Sequence, residues 1–217
     1  MQPIFITGGT GYIGRRLIRL LIKNGYAVAA LVRQQSLAKL PSGCTAVVAD
    51  AFDASSYVNS IAAGSTFIHL LGVSHPGPAK KALFYSIDLA AAKVAAEAAA
   101  KAGVAHFIYM SVAQYPVKMM ASYQDARLQA EQAIRATGLK STFIRPWYII
   151  GPGHYWPLLL QPLFKLMEYI PATAGKAKSL ALVSLQKMLQ TLLTVVKELP
   201  EEPVRIIEIA DIKNIKP

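Results

Sequence analysis

The stretch Thr7-Gly8-Gly9-Thr10-Gly11-Tyr12-Ile13-Gly14 constrains the fold more than any other part of the chain. An apolar run, Ile4-Phe5-Ile6, precedes it, and a helical pattern with Leu17, Ile18, Leu21 and Ile22 on one side follows it. Glycine-rich chain between a buried strand and an amphipathic helix is the setting of a dinucleotide-binding turn. Gly8 permits the tight turn, Gly11 lets backbone approach a pyrophosphate, and Gly14 lets the helix pack closely on the strand. The first N–H groups of a helix lack intrahelical acceptors, and with the helix dipole they favour an anion. Thr10, Tyr12 and Ile13 complete the loop and are expected to contact the same ligand.

Composition sets the outer bounds. Hydrophobic residues make up 53% of the 217 and charged residues 16%, which excludes a disordered chain and calls for a large core. One domain over residues 1–217 is expected, with about 154–200 forming a substrate-side cap and closing helix. The net charge of +11 is spread evenly, ten Lys/Arg against four Asp/Glu in residues 1–110 and thirteen against eight beyond. With no basic stripe and no reading motif, nucleic acid is not an expected partner, and the charge suits an anionic ligand. Cys44, the single cysteine, is read as a buried inert thiol in a strand. The first strand begins near Pro3, so no signal peptide is expected, and the expected location is cytoplasmic. Trp156 to Ile170 is shorter than the ~20 apolar residues of a span. It is also broken by Pro157, Gln161, Pro162, Lys165 and Glu168. It is read as an apolar cap over a pocket, with peripheral membrane contact as the lesser alternative. No His/Cys/Asp/Glu spacing suggests a metal.

Apolar strands and helical patterns alternate along the chain. Gly25, Gly103 and Gly138 each end a helix and are followed by strand-like runs: Tyr26–Val32, Val104–Met110 and Leu139–Ile144. Thr45–Ala49, Thr66–Leu71 and Arg205–Ala210 read as further strands. Continuous apolar runs are the mark of buried parallel strands. The expected class is α/β, a doubly wound parallel sheet. The helix from about Asp88 to Ala102 is alanine-rich and carries a Glu97–Lys101 pair at i, i+4. Ser184 is placed to cap a helix with an apolar face of Leu185, Met188, Leu189, Leu192 and Val196, which Pro200-Glu-Glu-Pro203 then stops. Asp53 reads as a cap and His69 as a core residue, while His75 falls on a loop near the expected substrate mouth.

The second strand ends in Arg33 with no acid nearby. In dinucleotide folds a basic residue here accommodates a 2′-phosphate, so NADP is expected in preference to NAD. Further on, Ser111 closes the fifth strand, and Tyr123-Gln124-Asp125-Ala126-Arg127 follows twelve residues later.

The G-x-x-G-x-x-G turn, the Ser111/Tyr123 pair, Ala126-Arg127-Leu128-Gln129-Ala130-Glu131, Phe143-Ile144-Arg145-Pro146 and Gly151-Pro152-Gly153 lie in register over residues 3–155. In this the chain resembles the short-chain dehydrogenase/reductase superfamily. It is similar to the extended and atypical branches, near the NmrA-like and NAD-dependent epimerase/dehydratase groups. The resemblance implies that Asp50 and Ala51 meet the adenine and that Leu70, Leu71 and Gly72 lie along the cofactor. It implies that Pro146 and Ile149 contact the nicotinamide, and that helices containing 88–102 and 123–138 form a dimer face in some relatives. It also implies catalytic roles for Ser111 as substrate orienter and Tyr123 as acid/base. Members that catalyse use Tyr-x-x-x-Lys, because a phenol of pKa ~10 is a poor base at neutral pH. A cation one helical turn away stabilises the phenolate. Here that cation is Arg127, which keeps the charge but not the proton chemistry of lysine. Cofactor binding therefore stands and catalysis is open. The chain reads as an oxidoreductase or epimerase-like enzyme on a small apolar or aromatic substrate. The alternative is a non-catalytic NAD(P)-binding sensor or an accessory subunit of a larger complex.

Overall fold

A computed structural model describes residues 1–114, 118–155 and 182–215. In chain order the elements are β1 (Ile4–Thr7), α1 (Gly14–Lys23), β2 (Val28–Val32), β3 (Thr45–Val48), β4 (Thr66–His69), α2 (Ala90–Ala102) and β5 (His106–Met110). There follow α3 (Ala121–Ala136), β6 (Ser141–Ile144), β7 (Ile149–Ile150), β8 (Val183–Ser184), α4 (Leu185–Lys197), β9 (Val204–Ile207) and α5 (Ile209–Asn214). Among the described residues the main sheet has the order β3-β2-β1-β4-β5-β6-β9, with every pairing parallel. This is the Rossmann-type α/β arrangement the sequence predicts. The strand order reverses between β1 and β4, which opens a crevice at the carboxyl ends of the strands.

The pleat sorts the core by side-chain shape. Ile4, Ile6, Ile68, Ile108 and Ile144 share one face and pack on Leu17, Ile18 and Leu21 of α1 and Met188, Leu192 and Val195 of α4. Phe5, Phe67, Phe107, Tyr109 and Phe143 share the other. Rings in register pack across strands, with centroids 5.2 Å apart for the tilted Phe5–Phe67 pair and 5.1 Å for the stacked Phe67–Phe107 pair. Large rings on the sheet need small residues opposite, and α2 and α3 supply them: Ala92, Ala95, Ala96 and Ala99, then Ala126 and Ala130. The alanine-rich stretch is thus the complement of an aromatic sheet face.

Several local expectations shift by a few residues. The strands after Gly25, Gly103 and Gly138 begin two residues later than predicted, because the left-handed glycines feed a short connection first. The last strand stops at Ile207. Glu208 and Asp211 form a capping box that turns the chain into α5. Cys44 lies one residue before β3 and is half-buried, and its thiol is pushed up to about 11 by burial. Glu97 and Lys101 make no ion pair among the described residues. Ser184 does cap α4, accepting from the Lys187 N–H. The predicted cap falls largely on residues 156–181, outside the described residues. Its near flank is tied down where β7 pairs β8 in parallel, Ile149 opposite Val183.

Two buried histidines give the fold a pH dependence. His69 shares a 2.8 Å hydrogen bond with Thr7 Oγ1, and His106 one of 2.8 Å with Thr142 Oγ1. Burial, with Arg127 and Arg205 adding to it respectively, lowers them to about 3 and about 4. The unfolded chain binds protons at both near pH ~6.5, whereas the folded chain does not until pH is far lower. Stability is therefore full above ~6.5 and falls as pH drops toward 4, by up to about 1.4 kcal/mol per pH unit for each histidine. Urea unfolding at pH 7, 6 and 5 is expected to show the midpoint falling, with a shallower fall in His106→Gln. A midpoint flat over this range in the wild type would contradict the assignment.

Candidate functional site

The glycine turn is built by contacts that only glycine allows. Gly8 has φ +76°, and a Cβ on it would lie 2.7 Å from the Leu70 carbonyl carbon. The chain after β1 is thus pressed against the chain after β4. A Cβ on Gly14 would meet the Gly8 carbonyl oxygen, so α1 starts directly against the turn. The Gly11 N–H donates to the Gly8 carbonyl at 3.0 Å and closes the loop.

Two cavities meet over this turn. One, of about 510 Å³, is lined by Thr10, Arg33, Asp50, Ala51, Leu71 and Lys80. The other, of about 570 Å³, is lined by Tyr12, Ile13, Ser111, Tyr123, Arg127 and Pro146, and by Gly14, Ile149, His75 and His154. Gly8, Gly11, Leu70 and Gly72 border both. All the sequence-predicted site residues therefore fall on the walls of two joined cavities. Asp50 turns its carboxylate inward on its own loop, accepting from the Phe52 N–H at 3.0 Å. Asp53 caps the short turn at Ala54–Ser56 and lies off both walls.

Helix α3 carries Tyr123 and Arg127 to the cavity wall. Tyr123, Arg127 and Glu131 lie at i, i+4 and i+8, on one face. That face points at the carboxyl end of β5. Tyr123 is half-buried and packs on Phe84, ring centroids 4.9 Å apart. Arg127 is buried and held on several sides. Its Nη1 donates to the Met110 carbonyl at 2.7 Å and to Tyr109 Oη at 3.3 Å, and its Nη2 to Asp88 Oδ1 at 2.5 Å. The guanidinium carbon lies 5.3 Å from the Tyr123 ring centroid. Arg127 Nε is buried with no hydrogen-bond partner among the described residues. Glu131 accepts from Ser111 Oγ at 2.6 Å and from Arg145 Nε and Nη2 at 2.9 and 2.6 Å.

The electrostatics follow from burial. Burial raises the Tyr123 phenol above its ordinary value and Arg127 pulls it back, with a net rise that leaves the proton on at neutral pH. Burial also opposes the Arg127 charge, but Tyr109, Tyr123 and Asp88 outweigh it. Asp88 is pushed up by burial against the pull of Arg127 and the Val73 N–H. At 2.5 Å from a guanidinium that does not deprotonate, we take Asp88 as ionised.

Sequence reasoning missed Asp88, Glu131 and His154. Asp88 reaches Arg127 from a π-helical turn, Phe84–Leu89, which precedes α2 and displaces the helix start predicted at Asp88. Its one signal was a lone acid among alanines and apolar residues. His154 packs tilted against Tyr12, ring centroids 4.2 Å apart, and stacks on His75 at 5.1 Å, and all three line the larger cavity. His75 is the non-glycine residue with positive φ among those described, at 51°. Burial, His75 and Arg16 together lower His154.

The site fits a dinucleotide: a cradle that a Cβ would fill at Gly8 and Gly14, and an unpartnered buried donor on Arg127. Comparison with known proteins agrees. The family model described as NAD(P)H-binding matches residues 8–152. The chain belongs to this NAD(P)H-binding family. It is 31% identical over 154 residues to a Bacillus subtilis protein named uncharacterized sugar epimerase YhfK, covering 67% of this chain and 71% of that one. It is 30% identical over 152 residues to ceramide reductase of Caulobacter vibrioides, covering 69% of this chain and 47% of that one. The chain thus spans about half the length of the ceramide reductase. Among solved structures, a UDP-galactose 4-epimerase shares the fold with a TM-score of 0.71 at 18% identity, covering 94% of this chain and 76% of that one. MoeE5 in complex with UDP-glucose and NAD has a TM-score of 0.70 at 16% identity, with 97% and 79% covered. No helix among the described residues is long and apolar enough to cross a membrane.

The Arg127–Asp88 pair yields a stability prediction. Asp88→Ala leaves a buried guanidinium without its carboxylate and is expected to cost about 3–5 kcal/mol in urea unfolding. Replacing both partners, Asp88→Leu with Arg127→Met, is expected to recover most of that loss. A single-variant cost below about 1 kcal/mol, the range of an exposed pair, would show that the pair does not hold the site.

Proposed function

We propose that the chain is an NAD(P)-dependent oxidoreductase acting on the carbonyl or alcohol of a small, largely apolar molecule. The observation that carries this reading is Tyr123 beside a fixed Arg127, both lining a cavity that continues from the glycine turn. When bound, the cofactor supplies hydride transfer. Gly8, Gly11, Gly14 and the start of α1 would hold its phosphates, Asp50 and Ala51 would border its adenine, and Leu70, Leu71 and Gly72 would lie along it. Arg127 Nε–H, which has no partner among the described residues, would donate to the nicotinamide ribose, with Pro146 and Ile149 lining the same cavity. Tyr123 carries the proton at the reacting oxygen. The apolar lining of Met110, Val112, Met120, Pro146 and Trp147 suits an apolar substrate, in keeping with the ceramide reductase relative.

We further propose NADP as the preferred cofactor, since Arg33 and Lys80 border the outer cavity. The return of β9 to the main sheet supports reading residues 1–217 as one cofactor-binding domain. Cytoplasmic location is proposed from the single, unpaired cysteine.

One observation favours a second reading, cofactor binding without turnover. Arg127 is committed to Asp88 and Met110, and the Ser111 proton to Glu131. A sensor or accessory subunit would need no more than this.

Purified protein with NADPH or NADH and a panel of ketones, aldehydes and quinones separates the two. On the enzymatic reading Tyr123→Phe lowers turnover by about 10²–10⁴-fold, the range of a lost acid/base, and leaves the cofactor Kd within about threefold. Cofactor binding with no oxidation across the panel would favour the second reading, and unchanged turnover in Tyr123→Phe would remove Tyr123 from the chemistry. Arg33→Ala is expected to weaken NADPH about 10-fold or more, as loss of a charge-assisted bond does, while barely moving NADH. Tighter binding of NADH than NADPH to the wild type would overturn the NADP preference.

A further inference from the structure

Ser111 brings one hydroxyl proton to the cavity wall, and the hydrogen bonds account for it. Its Oγ donates to Glu131 Oε1 at 2.6 Å, the short distance of a charge-assisted bond. Glu131 is fully buried, and Arg145 fixes its carboxylate through two bonds, at 2.9 and 2.6 Å. An ion-paired carboxylate accepts and does not donate. The Arg145 end is anchored in turn by Glu208 at 2.9 Å, on the cap of α5. A serine hydroxyl has one proton and two lone pairs. With the proton given to Glu131, Ser111 has only lone pairs left to offer the 570 Å³ cavity that it lines.

We infer that Ser111 is an acceptor-only specificity residue, selecting substrates with an O–H or N–H donor beside the reacting carbon. This rests on the reading of the larger cavity as the substrate site. Tyr123, which lines the same cavity, supplies the matching donor. A carbonyl oxygen that accepts from Tyr123, next to a hydroxyl or amide N–H that donates to Ser111, satisfies both. A simple ketone satisfies Tyr123 and sets its remaining surface against the Ser111 lone pairs. Rotating Ser111 to donate into the cavity would break its bond to a buried carboxylate, which costs more than a neutral hydrogen bond returns. Glu131 is the positioning residue: it acts on the substrate through Ser111.

The test uses the whole chain saturated with NADP+, which lets a ketone bind without being reduced. Three probes differ only beside the carbonyl: 2-hydroxyacetophenone, 2-methoxyacetophenone and acetophenone. Calorimetry is expected to give the hydroxy ketone an affinity about tenfold above the other two, the order of one hydrogen bond. Ser111→Ala is expected to abolish that preference and Ser111→Thr, which keeps the hydroxyl, to retain it. Glu131→Ala removes the acceptor that Ser111 shares with Arg145, frees the serine proton for the cavity, and is expected to shift the preference toward the methoxy and plain ketones. A purely structural Glu131 would not reorder the probes. Equal affinities in the wild type, or a preference that survives Ser111→Ala, overturn the inference while leaving the cofactor reading intact. A Ser111→Ala variant that loses NADP+ affinity but keeps the probe preference places the donor on the cofactor and overturns the substrate assignment. If the wild type fails to bind NADP+, the cofactor reading falls first and the inference with it.

Discussion

The buried ion pair between Arg127 and Asp88 holds the candidate site together. One guanidinium reaches the end of β5 through the Met110 carbonyl, the sheet interior through Tyr109 and the turn before α2 through Asp88. The second oxygen of Asp88 takes the Val73 N–H, at 3.0 Å, and so fixes the chain that leaves β4. Three segments far apart in sequence are thereby set relative to one another. Gly72 lies in the angle of this pair, where a Cβ would be 2.9 Å from Asp88 Oδ1. Burying two charges is costly, and several hydrogen bonds are needed to offset it. The pair is therefore better understood as fixing geometry than as adding stability.

The geometry of α3 depends on a second constraint, the division of the sheet into an aromatic and an aliphatic face. Alanines at 126 and 130 let α3 lie close against Tyr109 and Phe143. At that distance its i, i+4, i+8 row reaches the strand ends directly. Tyr123 meets the cavity, Arg127 the Met110 carbonyl, and Glu131 both Ser111 and Arg145. Bulkier residues at 126 and 130 would lift the row away and separate Ser111 from Glu131. Core packing and site chemistry are here the same problem.

What could be read from sequence divides along physical lines. The glycine turn, the strand–helix alternation and the helix-ending glycines are local, and their signals survive in any context. So Gly8, Gly11 and Gly14, the parallel sheet and the cap at Ser184 were legible, and the predicted site residues reached common walls. Strand starts were misplaced by about two residues because hydrophobicity continues through the connection after each glycine. Asp88 was not legible because a π-turn departs from the 3.6-residue period by which a helix face is read. The role of Glu131 depends on Arg145 from the end of β6, and the His75–His154 stack on two loops that sequence does not bring together. The apolar cap, the one large feature inferred from composition alone, lies on residues outside the description.

Arg127, at the position where the resemblance expects a lysine, is surrounded by groups that suit a guanidinium. A lysine ammonium is a single mobile point charge. A guanidinium is a rigid fork that can serve Asp88, Met110 and Tyr109 at once. Arg127 is thus a fixed cation, largely neutralised by a carboxylate at 2.5 Å. Its guanidinium carbon still lies 5.3 Å from the Tyr123 ring centroid, but with its charge shared its power to stabilise a phenolate is reduced. Burial then dominates, and the phenol keeps its proton at neutral pH. A protonated tyrosine gives a proton to a carbonyl oxygen more readily than it takes one from an alcohol. On the proposed function, the arginine therefore biases the site toward reduction, and an acceptor-only Ser111 beside it confines that reduction to carbonyls flanked by a donor.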